Sequence, residues 1–570
     1  MKKQVYNPYL PLNEYIPDGE PHVFGDRVYI FGSHDREGGY TFCMLDYVTY
    51  SAPVNDLSDW RYEGVIYKAE QDPQYMTPGF TNPENPNSEA SLLKYMYAPD
   101  VVCGNDGRYY LYYSMGGDYG YGGYVGPISV AVSDSPAGPY EFLGFVRNPD
   151  GSPMEKYVPF DPAVMNDDGV IRLYYGTQYG TDGSLQVQRE ENFENSLIEM
   201  FGKSREEIRS YPDNVNGPIV VTLEDDMLTV KEEPKHLIPY HVKGTPFEEH
   251  PFFEGSSMRK VGKKYYFVYS SWLNHELCYA TSDYPDRDFT YGGTIVSNGD
   301  VGFQGRPACA RLNMTGTTHG SIIEMNGQWY VFYHRLTHKS DYSRQSCAEK
   351  IRILEDGSIP QVQMTSCGLN DGPLKGEGDY PAVIACNLTN GKMPYGSNSI
   401  YKEAFPNVNH LGEERFIAEI EHGTLIGYKY FDLPEKVSLA VTVREETEEN
   451  RPRYEGPVRV DQRCADTGEE RIRYIREDEA GKEGGSPDGK TAGMASDECF
   501  FEIRFSETGE SVGTVPLREH TGTVPVHNPE GGWKEYAAEL NNEAGVYPVY
   551  LVYHGKRKVQ LESIRFFRGV

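Results

Sequence analysis

The sequence predicts an all-β protein: a five-bladed β-propeller followed by a β-sandwich. Three observations carry that expectation. Tyrosine (46 residues) and glycine (60) are abundant, and long apolar stretches at helical spacing are few, a balance that favours strands. Five short aromatic runs recur: RVYIFGS ending at Ser33, RYYLYYS at Ser114, VIRLYYG at Gly176, KYYFVYS at Ser270 and QWYVFYH at His334. Near residue 375 this pattern gives way to short alternating strands of a different kind. At 570 residues the chain is long enough for two or three domains.

Each aromatic run follows a turn of Gly or Asp-Gly type: Gly25-Asp26, then GNDG before Tyr109, NDDG before Val170, VGKK before Tyr265 and MNG before Gln328. Another apolar-rich strand precedes each turn. The spacing between runs leaves room for about four strands per unit, and five such units read as propeller blades, in which radial repetition hides the sheet edges. Asp106, Asp167 and Asp168 in the turns are read as turn chemistry.

At nearly the same distance ahead of each run stand Asp18, Asp100, Asp161, Glu254 and His319. The first strand of a blade runs beside the central axis, so these five side chains are expected to converge on one face. Four carboxylates and a histidine at one locus repel unless they bind something or are satisfied. Of the five, Asp100, in its APD context, is also read as a brace for its blade. Spacing alone leaves Glu20 in competition with Asp18.

At these residues the chain resembles glycoside hydrolase family 43, five-bladed propeller enzymes that invert configuration. The resemblance covers about residues 5–370. It implies a general base at Asp18 in NPYLPLNEYIPDGEPHVF, with Gly19 where the family usually has Pro. It implies an acid-tuning carboxylate at Asp161 in FDPAVMNDDG, and a general acid at Glu254 in FFEGSSMRKVGKKYYFVYS, with Ser256 where Pro is common. The match decides for Asp18 over Glu20. His319 in NMTGTTHGSII corresponds to the family's axial histidine, which sits near a metal ion or water in the channel. No cofactor is required for the chemistry; a structural Ca2+ near His319, and another in the C-terminal domain, are what the resemblances imply. Inverting hydrolysis needs one protonated carboxyl and one ionised carboxylate, about 6.5–9.5 Å apart so that water fits between sugar and base. Glu254 must then stay protonated near neutral pH, which burial and the neighbouring charge of Asp161 both favour. Arg344 in DYSRQS is expected to touch the sugar, as are Trp272, Phe42 and Asp100, the two rings as apolar walls. His34 and Asp35 are placed at the pocket rim.

The expected catalytic domain is residues 1–372, and residues 373–570 form the β-sandwich. GLNDGPLKGEGDYPAV reads as an interdomain link. RFIAEIEHG, KVSLAVTVRE, CFFEIRFSE, YPVYLVYHG and VQLESIRFF read as sandwich strands. The charged, glycine-bearing stretch between about 445 and 495 reads as an extended loop. The order of these segments resembles a family 6 carbohydrate-binding module, with Trp533 and Tyr430 as sugar-binding candidates against a packing role in the sandwich. The alternatives are that this domain buttresses the propeller or builds a homo-oligomer.

The formal net charge of −31 argues against nucleic acid or an anionic membrane as partner. The N-terminal MKKQVYNPYLPLNEY has no apolar h-region, and nine dispersed cysteines without a C-x-x-C pair fit reduced thiols, so a cytoplasmic location is expected. The N-x-T matches at Asn313 and Asn387 are then chance. Together these features predict an inverting exo-glycosidase acting on arabinoxylan-type oligosaccharides, of β-xylosidase or α-L-arabinofuranosidase type. The alternatives are a non-catalytic carbohydrate-binding propeller, or β-1,3-galactosidase or arabinanase activity.

Overall fold

The computed structural model describes residues 3–75, 94–117, 127–154, 159–177, 206, 217–239, 242–394, 404–452, 498–518 and 531–569, and its elements are strands joined by turns and short 3-10 segments. Most of the charged stretch read as a loop, and Cys464 within it, lie outside those residues. The opening hairpin shows the local logic. Glu20–Phe24 pairs antiparallel with Arg27–Phe31, Phe24 opposite Arg27, around Gly25 at φ 66°. Asp168-Gly169 (φ 52° and 90°) and Asn326-Gly327 (φ 51° and 75°) make the corresponding turns of two later hairpins. Positive φ at both central residues gives the tight turn whose twist matches its flanking strands. Asp167 exceeds its expected turn role, accepting from Lys260 Nζ at 2.6 Å and from the Tyr265 hydroxyl at 2.7 Å, which ties two sheets together.

Five antiparallel sheets succeed one another along the first two-thirds of the chain, four of them four-stranded and the last three-stranded. Their first strands are Glu20–Phe24, Lys94–Cys103, Ala163–Asp167, Phe252–Val261 and Ser321–Met325. These touch in cyclic order, the fifth returning to the first, where Gly19 and Gly320 form a parallel bridge. In place of a fourth strand, the last sheet has its outer edge held by the N-terminal segment. Asn7 exchanges side-chain hydrogen bonds with the Ala348 backbone at 2.9 and 3.0 Å, and the Tyr9 N–H reaches Ser346 O.

The core lies between the sheets, and this explains the aromatic runs. In Tyr109–Gly117, Leu111 and Tyr113 join Phe31, Tyr47 and Ile66 of the first sheet, while Tyr110 and Tyr112 join Val164, Leu173 and Tyr175 of the third. In Lys264–Ser271, Phe267 and Tyr269 face the third sheet, and Tyr266 and Val268 face Ile322 and Val331 of the fifth. Val28 and Ile30 pack on Tyr330 and Phe332, closing the cycle. Both faces of each middle strand are buried, so polar alternation is lost there.

From Leu374 onward the strands form two six-stranded sheets. A single core lies between them, drawing Ile426, Phe431, Phe501 and Val549 from one sheet and Leu439, Val441, Ile564 and Phe566 from the other. All five segments read as strands here are strands. The stretch read as a link is instead built into both sheets: Leu374–Lys375 pairs with Leu425–Leu433, and Gly378–Pro381 pairs with Val559–Arg568. Buried polar contacts join this half to the first. Lys429 Nζ donates to Asp300 at 2.9 Å, and Arg335 donates to the Val383 and Ala385 carbonyls.

Candidate active site

Asp18 and Asp161 each precede an innermost strand, and each holds positive φ, 58° and 45°. Such backbone costs about 1–3 kcal/mol in a non-glycine residue and persists only where surroundings fix it. At Asp18 the fixing is visible. Arg344, first residue of Arg344–Ile351, donates from Nη1 to both carboxylate oxygens, at 2.9 and 3.0 Å. Its Nε and Nη2 grip Asp35 at 2.8 and 3.0 Å, and Nη2 also points at Cys43 Sγ, 3.5 Å away. The Phe42 ring lies under the guanidinium, 4.7 Å from centroid to Cζ. The Asp18 N–H donates to His334 Nδ1 at 3.3 Å, and His334 Nε2 donates to Thr317 O at 2.8 Å, which fixes that imidazole as the neutral Nε2–H tautomer.

Burial alone would raise the Asp18 carboxyl, but the charge of Arg344 and the adjacent His334 and His319 outweigh it and hold Asp18 below the ordinary carboxylate value. Asp161 goes the other way. Burial, then the negative charges of Glu254 and Asp18, push it well above the ordinary range, against the pull of Arg344 and the Gly255 N–H. His319 sits between the two, its Nδ1 3.9 Å from Asp18 Oδ1 and 3.7 Å from Asp161 Oδ2.

Glu254 is half-buried on the innermost strand of the fourth sheet, where the register with Lys264–Ser271 shifts on either side of it. Gly255 follows at φ 75°, and a Cβ there would meet His319 Cγ at 3.1 Å. Beside Glu254, Trp272 packs on Phe253, ring centroids 5.4 Å apart. Phe42 thus lies on the Asp18 side and Trp272 on the Glu254 side.

Several expectations change. All the N–H groups of Arg344 face Asp18, Asp35 or Cys43, so this arginine positions the carboxylate and is not presented to a sugar. Asp100 is fully buried; it accepts the Val101 and Val164 N–H groups, both at 2.8 Å, and lies 2.6 Å from His22 Nε2. It braces the first three sheets and touches no open space. Glu20 is likewise bound, its Oε2 accepting from Arg259 at 2.5 Å and Ser257 at 3.1 Å. Burial raises the Glu20 carboxyl to about 7, with Arg259 opposing and Asp100 adding to the rise. Of the rim candidates, His34 contacts Asp46 O, while Asp35 is buried under Arg344. His334 and the positioning role of Asp35 escaped the sequence reading. Their only signal was position, at the ends of the QWYVFYH and RVYIFGSHD runs. In the second half Trp533 is fully buried against Phe416, with Arg444 stacked on it at 4.1 Å, so it is core. Tyr430 OH accepts from Gln363 at 2.5 Å.

A carboxylate held ionised, facing a carboxyl pair that favours retaining a proton, is the equipment for splitting a glycosidic bond with water. The protein is a glycoside hydrolase. No family model matches the chain. A xylosidase/arabinosidase of Thermoclostridium stercorarium is 39% identical over 583 residues, covering 99% of each chain. The xylosidase/arabinosidase 43A of Humicola insolens is 31% identical over 61% of this chain and 97% of its own length. A solved family 43 β-xylosidase/α-arabinofuranosidase from a compost microbial metagenome, in complex with xylotriose, is 26% identical, covering 62% of this chain and 96% of that one, with a TM-score of 0.43. The chain belongs to glycoside hydrolase family 43.

Proposed function

We propose that this enzyme is an inverting exo-glycosidase that releases xylose or arabinose from arabinoxylan-type oligosaccharides, as a β-xylosidase or α-L-arabinofuranosidase. The observation that carries the reading is the opposed environment of the carboxyls around His319: Asp18 clamped by Arg344, Asp161 raised beside Glu254. Asp18 acts as the base, taking a proton from the water that attacks the anomeric carbon. Glu254, the less buried member of its pair, gives its proton to the leaving oxygen, and Asp161 beneath it keeps that proton in place at neutral pH. Phe42 and Trp272 supply apolar surface on the two sides.

The five sheets are read as the blades of a propeller occupying residues 1–372, and residues 373–570 as a β-sandwich of carbohydrate-binding-module type. The cyclic contact of first strands and the core shared between two six-stranded sheets support this. The absence of disulfides among the described cysteines supports a cytoplasmic location.

The family resemblance also implies a calcium ion near His319. The residues fit one cation: His319 Nε2 and Glu20 Oε1 are buried, lack hydrogen-bond partners among the described residues, and lie 3.9 Å apart. Calcium takes six to eight mostly oxygen ligands, so water would complete its shell. When bound, it would add positive charge beside Asp18 and Asp161 without entering the bond-making steps.

The test is initial rates on aryl β-D-xylopyranoside and aryl α-L-arabinofuranoside side by side, with NMR of the first-formed anomer. Turnover with inversion is expected, and the ratio of rates names the sugar. Retention of configuration would overturn the mechanism, and no turnover of either glycoside would overturn the substrate class.

A further inference from the structure

Away from the carboxylates, three side chains from distant segments meet where the two halves of the chain touch. Glu37 follows the first sheet's second strand, His338 follows Gln328–Leu336, and His410 lies on Asn407–Leu411. Their ligating atoms all lie within 4.8 Å of one another. His338 Nε2 is 2.9 Å from His410 Nδ1, which is 3.6 Å from Glu37 Oε1. The surroundings set the lone pairs. Thr337 Oγ1 donates to Ser343 O and so accepts from His338 Nδ1–H at 2.9 Å, leaving His338 Nε2 as a bare acceptor aimed at the cluster. Glu37 is oriented from outside by Arg415, at 2.7 and 3.1 Å, and by the Tyr15 hydroxyl at 3.2 Å.

Two backbone features point to the same place. His338 holds φ 59°, an outlier for a non-glycine residue, although its ring is buried. Gly38 holds φ 67°, and a Cβ there would come within 3.3 Å of His410 Cε1. The chain accepts strain at one residue and forgoes a side chain at another to bring the imidazoles together.

We infer that Glu37, His338 and His410 form a transition-metal site, best suited to Zn2+, that fastens the second half of the chain to the loop beneath the active site. Two imidazoles and one carboxylate make a common zinc ligand set, with water as the fourth ligand. Tetrahedral Zn–N bonds of about 2.0–2.1 Å put two ligand nitrogens roughly 3.3 Å apart. The present 2.9 Å needs to open only slightly once the metal replaces the shared proton. Glu37 is two residues from Asp35, which grips Arg344 and through it Asp18, so the site is wired to the carboxylate clamp.

The test is calorimetric titration of the full-length chain, freed of metal by chelation, with Zn2+, alongside Co2+ absorption spectra. One site is expected, with visible d–d bands from bound Co2+, a higher Tm with metal, and affinity at least tenfold weaker in His410→Ala and in Glu37→Gln. His410 is partly exposed, so both variants should fold; near-UV circular dichroism checks this, and His410→Gln serves if His410→Ala does not. Absence of Zn2+ binding, or affinity unchanged in the folded variants, would overturn the inference and leave an interface hydrogen-bond network only.

Discussion

Arg344 sets the state of Asp18, the proposed base. Its fork delivers two hydrogen bonds to Asp18 and two to Asp35, a geometry lysine cannot reproduce. Because the folded carboxyl is depressed by Arg344 against the effect of burial, Asp18 stays ionised to lower pH than an ordinary carboxyl would. Arg344→Lys weakens that hold. The acidic limb of the kcat/KM profile is then expected to move to higher pH, and an unmoved limb would show that Arg344 does not tune the base. Glu254→Gln removes the transferable proton and should cost at least about 100-fold in kcat on substrates with poor leaving groups. Its loss should shrink on activated aryl glycosides; full retained activity on poor leaving groups would remove Glu254 from the mechanism.

The strand carrying Glu254 depends on what surrounds it. Gly255 sits at φ 75° against the His319 ring, so Gly255→Ala adds both strain and a clash. A loss of about 1–3 kcal/mol is expected, read as a lower urea midpoint with unchanged slope. On Glu276–Ser282 of the same sheet, Glu276 is buried with His250 at 2.6 Å and also accepts from Ser271 and Thr294. Burial would raise its carboxyl, but His250, then His275 and the Ser271 hydroxyl, bring it from the ordinary 4.5 down to about 2. A depressed carboxyl stabilises the fold fully above its unfolded value and loses that contribution as pH falls toward 2. The contribution is on the order of 3 kcal/mol. The destabilisation by Glu276→Gln, measured by urea unfolding, should therefore be largest near pH 6 and shrink toward pH 2.5. A pH-independent difference would refute the assignment.

Buried polar contacts tie the two halves together. Lys429 and Asp300 are both nearly inaccessible, and Asn387 and Gln363 complete their hydrogen bonds. Removing one partner leaves a buried charge uncompensated. Lys429→Met should cost about 3–5 kcal/mol, while the double variant Lys429→Met/Asp300→Asn recovers much of it. Denaturation followed by tryptophan fluorescence and by circular dichroism checks both; equal losses in the single and double variants would show that the ion pair does not join the halves.

The sequence by itself determined the all-strand character, the five hairpins and their turns, and the phasing that singles out Asp18, Asp100, Asp161, Glu254 and His319, with Glu20 competing with Asp18 on spacing. Those are local properties: positive φ at Gly25 or Gly169, and aromatic residues in runs with no polar face. The change of pattern near residue 375 was legible for the same reason. Tertiary structure alone decided what each acid does, because protonation depends on neighbours hundreds of residues away. Arg344 is sequentially remote from Asp18 and bonded to it, while Asp100, phased with the others, is consumed by backbone N–H groups. The zinc ligands Glu37, His338 and His410 share no motif, and only the docking of the second half onto the first brings their nitrogens and oxygen together.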